Sequence, residues 1–183
     1  SSEGVLLEKF NFIDGMQAGE QLTYHSNGKL DHRIQYHTTE RNANGQFPQH
    51  GVQERYSVDG LPIVTANFAM GLRDGVFKRF QGEKLVEETQ YKAGKRHGVS
   101  KTFYSSGEPR EQNSYVEERQ TGPFKAWHIN GQLREEGERD NGQIIGRYQS
   151  YYDTGKPQKL EHFATEKKPG EHSYGRVGEY KQW

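Results

Sequence analysis

The spacing that decides the fold stands in the stretch Tyr91-Lys-Ala-Gly-Lys-Arg-His-Gly98-Val-Ser-Lys-Thr-Phe103-Tyr-Ser-Ser-Gly107. An aromatic residue follows Gly98 by five positions, and a second glycine follows it by nine. The same glycine and aromatic recur, usually every 23 or 24 residues, as Gly19/Tyr24, Gly51/Tyr56, Gly75/Phe80, Gly98/Phe103, Gly122/Trp127, Gly146/Tyr151 and Gly178/Trp183. A fixed period of this length is the signature of a repeat protein.

Each repeat contains the signals of a β-hairpin. The second glycine usually closes a turn sequence such as Ser-Asn-Gly28, Val-Asp-Gly60 or Ile-Asn-Gly131, and Asn-Gly and Asp-Gly are strong hairpin signals. The segments between turns have six to eight residues, which favours strands over helices. The sequence therefore predicts an all-β fold, an elongated solenoid or ribbon of about seven consecutive antiparallel β-hairpins in a single domain over residues 1–183.

Aromatic residues occupy two further positions of the repeat. One closes most units, at Tyr36, Phe68, Tyr91, Tyr115 and Phe163, and Arg139 interrupts this series. Another stands two residues after the first glycine, at Phe77, Phe124, Tyr148 and Tyr180. We expect this second set to pack the ribbon, and the alternative is an exposed stacking platform for sugars or lipid headgroups. If the rings of Phe103 and Trp127 are buried, replacing either by alanine should cost ~3–5 kcal/mol.

Two repeats are 32 residues long because each carries eight extra residues in the same slot. The inserts, Thr38 to His50 and Thr165 to Val177, have the polar composition of surface loops, and we expect both to project from one edge of the ribbon. We predict that both inserts contact a bound partner. The predicted contact residues are Arg41, Asn44 and Phe47 in the first loop, and Lys167, Lys168 and Glu171 in the second. Tolerated insertions are the alternative.

Composition argues against several functional classes. The 25 basic and 25 acidic residues cancel, so the chain lacks the basic excess typical of nucleic-acid binders, and the bare chain is not expected to bind acidic membranes. Without cysteine it has no zinc–thiolate site and no thiol nucleophile. Histidines and paired carboxylates occupy repeat or strand positions that explain them without catalysis. We expect no catalytic residues, no metal and no cofactor.

Three segments, Tyr91–Pro109, Gly19–Leu30 and Gly122–Leu133, resemble the MORN-type repeat in its bacterial variant. The resemblance extends over roughly Phe10 to Trp183 and implies a ribbon of antiparallel hairpins. It also implies a non-catalytic protein-binding scaffold, because bacterial variants are often assigned as antitoxins or immunity proteins, some beside secreted phospholipase effectors. Arg139, Glu118 in place of a turn glycine, and the two inserts depart from the family pattern.

The functional hypothesis is an immunity protein or antitoxin that binds and blocks a bacterial toxic effector, with a secreted phospholipase as one candidate. The alternative is a membrane-binding or carbohydrate-surface-binding MORN module. A periplasmic or cell-envelope location is expected, with the cytoplasm as the alternative. Both a monomer and an edge-paired dimer remain open. We expect the strand Gly4 to Phe12 to pair with the first hairpin, and the Thr165–Val177 loop or another copy to cover the C-terminal edge.

Overall fold

The computed structural model describes residues 6–183. This part of the chain contains strands, turns and bends and no helix, and all its paired strands run antiparallel as consecutive hairpins, so the predicted fold class is confirmed. No helix in these residues is long and apolar enough to cross a membrane. The chain divides into two compact units, one ending at Lys95 and one beginning at Arg96, and both continue the same repeat.

The first unit is a sheet in the order β1-β4-β5-β6-β7-β9-β10, with β8 paired to β7 and a separate small hairpin of β2 and β3. Its strands are β1 (Glu8–Lys9), β2 (Phe12–Ile13), β3 (Met16–Gln17), β4 (Gly19–Tyr24), β5 (Leu30–Tyr36), β6 (Gly51–Tyr56), β7 (Pro62–Ala69), β8 (Leu72–Arg73), β9 (Gly75–Gln81) and β10 (Lys84–Lys92).

The second unit has the order β11-β12-β14-β15-β16-β17-β18, with β13 paired to β12. Its strands are β11 (Lys95–Phe103), β12 (Pro109–Val116), β13 (Arg119–Gln120), β14 (Gly122–Trp127), β15 (Leu133–Asp140), β16 (Gln143–Tyr151), β17 (Pro157–Phe163) and β18 (Lys181–Gln182). Within residues 6–183 the two units contain six full repeat hairpins. From Gly178, the seventh repeat supplies only the short strand β18.

The predicted Asn-Gly and Asp-Gly signals form one kind of turn, at the hairpin tips. In the first hairpin the His25 N–H donates to Lys29 O and the Gly28 N–H donates to His25 O, both at 2.8 Å, and only Gly28 of the three loop residues has a positive φ. This is a three-residue loop that ends in a glycine bulge. The same pair of hydrogen bonds recurs at residues 57–61, 104–108, 128–132 and 152–156. The shortened third tip turns at Gly82.

The connecting turns at the other ends of the strands are of a second kind, in which two successive residues have positive φ. They are Asp14-Gly15, Met70-Gly71, Ala93-Gly94, Glu117-Glu118 and Asn141-Gly142. Glu118 adopts φ 70° where the other turns place glycine, a conformation that is unfavourable for a side chain. Its carboxylate accepts hydrogen bonds from the backbone N–H and the Nε of Arg96, and these contacts offset the strain.

The first glycine of every repeat is required by the backbone. All seven have positive φ, from 60° at Gly146 to 111° at Gly75. A Cβ atom at Gly75 would also stand 3.1 Å from the Cβ of Asn67 on the neighbouring strand. A side chain here would therefore meet both backbone strain and a close contact. This is why the glycine marks the period.

Among residues 6–183, the buried rings of the repeat are Phe77 and Phe124, two positions after this glycine, and the closing aromatic Tyr115, which is 9% exposed. Phe77 in the first unit is 9% exposed and Phe124 in the second is 3% exposed, whereas Phe103 and Trp127 are only half-buried. The expected packing role of the second aromatic set is therefore correct at Phe77 and Phe124. The loss of ~3–5 kcal/mol was expected only if the rings of Phe103 and Trp127 are buried, so it does not apply to these half-buried side chains. Tyr180, from the same set, remains 45% exposed.

Arginine side chains cover these rings. Arg73 places its guanidinium carbon 4.7 Å from the ring centre of Phe77, and Arg139 places its own 4.2 Å from that of Phe124. The ring of Phe124 also lies against Gly137, where a Cβ atom would stand 3.1 Å from it. Most other repeats have an aromatic residue at the position of Arg139. Here the arginine side chain lies over the Phe124 ring instead.

The expected edges of the sheet are found in altered form. At the N-terminal side, Glu8 and Lys9 pair with β4, and the start of the predicted strand, Gly4 and Val5, lies outside the described residues. At the C-terminal side the end of the loop and the strand β18 together line β17. The last residues of the loop bond to β17, since the Val177 N–H donates to His162 O at 2.7 Å, and β18 then pairs with β17.

Replacing Phe124 by alanine should lower the free energy of unfolding by about 3–5 kcal/mol, because the ring is almost fully buried and leaves a cavity. The matched change Trp127→Ala should cost only about 1–2 kcal/mol, because the indole is half-buried. Urea denaturation followed by circular dichroism measures both. Equal losses for the two variants would contradict this assignment of the core.

Candidate functional site

The first insert is a clamped loop. At its base the His37 N–H donates to Pro48 O and the His50 N–H donates to Gln35 O, each at 2.8 Å. At its tip the Asn42 side-chain oxygen accepts the backbone N–H groups of Asn44 and Gln46, each at 3.0 Å. Side-chain caps of this kind fix a tight turn without neighbouring strands. The loop is therefore held at both ends.

Arg41 ties this loop to the preceding connecting turn. Its guanidinium donates to the Asp14 carboxylate at 2.7 Å and to Gly45 O at 2.8 Å. It also lies over the Phe47 ring, with its central carbon 4.3 Å from the ring centre. Asp14 belongs to the small hairpin of β2 and β3, so the insert folds back onto that hairpin.

The three predicted contact residues of the first loop thus lie in different environments. Phe47 is 5% exposed and carries the Arg41 guanidinium over its ring, so most of the ring is closed to a partner in this conformation. The ring is an internal contact of the loop, and its predicted contact with a partner stays a prediction. Arg41 is engaged within the protein, and Asn44 is exposed at the tip. Partner binding by this loop remains a prediction.

Exposed apolar side chains flank the first insert along the connecting-turn edge of the first unit. Phe12 is 56% exposed and Leu72 is 51% exposed, and Ile13 and Met70 are also exposed. Contacts link them to the loop, because Phe12 and Phe47 line the same depression and the Gly71 N–H donates to Gln49 O at 2.8 Å. We call Phe12, Ile13, Met70 and Leu72, with the tip of the first insert, the turn-edge surface.

The second insert folds back in the same way within the second unit. The Tyr174 hydroxyl donates to the Asp140 carboxylate, and the Gln143 side chain donates to His172 O at 3.0 Å. Asp140 and Gln143 flank the preceding connecting turn. The predicted contact residues Lys167, Lys168 and Glu171 are exposed, and the ammonium of Lys167 lies 4.8 Å from the ring centre of Tyr174.

A polar groove of about 490 Å³ lies on the second unit. It is lined by His128, Arg134, Glu135, Tyr148, Ser150, Tyr151, Gln158, Lys159, Tyr180 and Gln182. The Tyr148 hydroxyl donates to Glu135 at 3.0 Å, and the same carboxylate pairs with Arg134 at 3.0 Å. Burial, and then the charge and hydrogen bond of Glu135, raise the pKa of Tyr148 to about 12. This phenol is therefore neutral throughout the physiological range.

The histidine and carboxylate side chains at these sites raise the question of metal ligation. Among residues 6–183 no group of three histidine or carboxylate side chains could hold a metal ion. His32 and His37, which stand five residues apart, have separate partners: His32 contacts Asp31, and the Nδ1 of His37 accepts the Glu40 N–H at 2.9 Å.

Sequence reasoning missed two features of these sites. The hairpin of β2 and β3 was not identified, although Phe12-Ile13-Asp14-Gly15-Met16 carries an Asp-Gly turn between apolar residues. The groove of the second unit was not predicted either, because its residues come from strands up to 54 positions apart, from His128 to Gln182. The alternation of polar and aromatic residues gave no signal of a depression there.

The pKa of Tyr148 provides a test of the groove's geometry. The pKa of Tyr148 in the folded protein lies above the usual 10.0. The part of the folding stability that depends on its neutral phenol is therefore complete below about pH 10 and is lost as pH rises towards about 12. Glu135→Gln should lower the pKa of Tyr148 without returning it to 10.0, since burial remains. Carbon-13 NMR titration of labelled tyrosine measures this. Glu138→Gln, an exposed carboxylate on the same strand, is the control; an unchanged Tyr148 pKa in Glu135→Gln would contradict the contact.

The tie made by Arg41 gives a second test. Arg41→Ala removes the contacts to Asp14, Gly45 and Phe47, so amide hydrogen exchange in residues 42–49 should quicken at least tenfold. Lys167→Ala, in the other unit, should leave exchange in this segment unchanged. Exchange that stays slow in Arg41→Ala would show that the backbone clamps alone hold the loop.

Comparison with known proteins agrees with the repeat. Residues 17–37, 96–117 and 144–164 match the family model of the MORN repeat variant. No curated protein matches the chain. A solved structure, "Crystal Structure of TarM", is similar with a TM-score of 0.33 and 15% identity over 57% of this chain, which spans 19% of that chain's length. The three matched segments coincide with the hairpins β4–β5, β11–β12 and β16–β17, and the chain therefore contains three repeats of the MORN variant type.

Proposed function

We propose that this chain is a non-catalytic scaffold that binds a protein partner through the turn-edge surface of its first unit. MORN repeats fit a repeat-based binding module. The observation that carries the proposal is the exposure of Phe12, Ile13, Met70 and Leu72 around a clamped loop. Large apolar side chains grouped at a surface are typical of protein interfaces.

The clamped loop strengthens this proposal. Binding loses less free energy to ordering when the contact surface is already fixed, and the ties of Arg41 to Asp14 and Gly45 fix this one. The buried Phe47 then serves the interface indirectly, by holding the tip with Asn44 in place. Apolar residues supply the centre of such a contact, and polar tip residues supply its rim.

A narrower proposal follows from the resemblance to bacterial variants. The partner is a toxic effector, of which a secreted phospholipase is the leading candidate, and the chain acts as its immunity protein by covering the active-site entrance. The exposed charges of Lys167, Lys168 and Glu171 in the second unit offer a separate set of contacts that would contribute to partner choice.

The direct experiment uses enzymes encoded beside this gene. Each is purified and titrated into the intact chain by calorimetry, and at least one should bind. Leu72→Asp should weaken that binding at least tenfold, because a charge is placed in an apolar contact. Val58→Asp is the matched control, since Val58 is also 51% exposed but lies at a hairpin tip on the opposite edge of the sheet.

The outcomes separate the two levels of the proposal. Equal weakening by Leu72→Asp and Val58→Asp would contradict the turn-edge surface as the binding site. An enzyme that binds tightly but keeps full activity when saturated would contradict the immunity role and leave the scaffold role intact. If the scaffold role and the immunity role are both correct, inhibition of the enzyme should rise in proportion to the fraction bound.

A further inference from the structure

The polar groove of the second unit is a candidate binding site that is independent of the turn-edge surface. It is formed by side chains of β15, β16, β17 and β18, together with His128 of a tip turn and Tyr180, the residue before β18. At about 490 Å³ it falls in the size range of small-ligand sites. Its walls combine three tyrosine rings with amide, hydroxyl and charged groups, so the nature of the ligand depends on which of these remain available.

The basic side chains of the groove are already paired. Arg134 contacts Glu135 at 3.0 Å, and Lys159 contacts the buried carboxylate of Glu161 at 2.7 Å. Arg176 contacts the same carboxylate at 2.5 Å. An anionic ligand would have to compete with these ion pairs, at a cost in unpaired buried charge. The groove is therefore suited to an uncharged ligand rather than to a phosphate chain.

The aromatic groups have the arrangement of a stacking surface. Tyr180 is 45% exposed, and its ring is held by Arg176 at 5.2 Å and by Lys159 at 5.8 Å from the ring centre. A ring fixed by two cations but still open to solvent can receive the flat face of a ligand. Deeper in the groove, Tyr148 is a neutral phenol that donates to Glu135.

Polar groups beside these rings can both donate and accept. The side-chain oxygen of Gln158 accepts from Ser150 at 3.4 Å, and that of Gln182 accepts from Tyr180 at 2.5 Å. In both contacts the amide oxygen is used, so the amide nitrogen can still donate to a ligand. Planar amides next to an open tyrosine ring match a molecule with an apolar face and hydroxyl groups around its rim.

We propose that this groove binds a neutral oligosaccharide, with a sugar face stacked on Tyr180 and sugar hydroxyls bonded to Gln158 and Gln182. Pyranose rings combine an apolar C–H face with a rim of hydroxyl groups, which is the pattern described above. The proposal narrows the stacking-platform alternative from four aromatic positions to Tyr180, supported by Tyr148. Phe77 and Phe124 are excluded because they are buried.

The test is a titration of the intact, nitrogen-15-labelled chain, followed by amide NMR shifts. Cellohexaose, maltohexaose and chitohexaose are the probes, each to 10 mM. At least one should give saturable shifts confined to β15–β18 and the His128 turn. Tyr180→Ala should weaken that binding at least tenfold, whereas Tyr180→Phe should stay within about threefold because stacking is retained. Phe12→Ala, an exposed aromatic residue of the first unit that lies outside the groove, should leave it unchanged.

Overlay of the variants' spectra with that of the intact chain verifies folding, and Gln158→Ala gives a second variant that preserves the tyrosines. Co-sedimentation with insoluble cellulose or chitin would identify a surface glycan as the source, and binding of the soluble hexasaccharide alone would identify a free one. Absence of shifts with all three sugars, or groove shifts produced instead by inorganic phosphate or single-stranded oligothymidine, would overturn the proposal. Loss of protein binding at the turn-edge surface would not affect it.

Discussion

The core depends on arginine side chains lying over aromatic rings. A hairpin sheet buries a ring on one side against its own strands, and the other side must be covered by something. Arg73 covers Phe77 in the first unit, and Arg139 covers Phe124 in the second. The guanidinium plane excludes water from the ring while keeping its own edge solvated. A chain with only 30% hydrophobic residues can in this way protect its few buried rings.

The period, the hairpins and the all-β class could be predicted because backbone conformation enforces them. Each first glycine has positive φ, and this requirement is visible in the sequence as an invariant residue. The buried face could not be predicted in the same way. Rings stand at both the second and the fifth positions after the glycine, and both sets fit strand alternation. A register shift stands just before the fifth position, as between Ala126 and Trp127, so strand alternation does not carry over from the second position to the fifth.

The loops were predictable as insertions, but their side-chain roles were not. Phe47 and Arg41 are residue types that are common in protein interfaces, yet in this structure both side chains hold the loop closed. The reason is the contact between Arg41 and Asp14, which are 27 positions apart and whose pairing has no local signal. The same limit applies to Tyr174 and Asp140 in the second unit, 34 positions apart. Exposure at the surface, rather than residue type, separates contact residues from anchors.

The division of the first insert into anchors and tip has a consequence for divergence. The anchors Arg41 and Phe47 bracket residues 42–46, whose turn is closed by the side chain of Asn42. Substitutions at Ala43, Asn44 and Gln46 leave the anchors and the sheet hydrogen bonds untouched, so their effect on folding is small. The tip of the insert can therefore vary in sequence without a change in the anchors or the sheet. Changes at these three positions can alter what the tip recognises while the repeat array beneath stays constant.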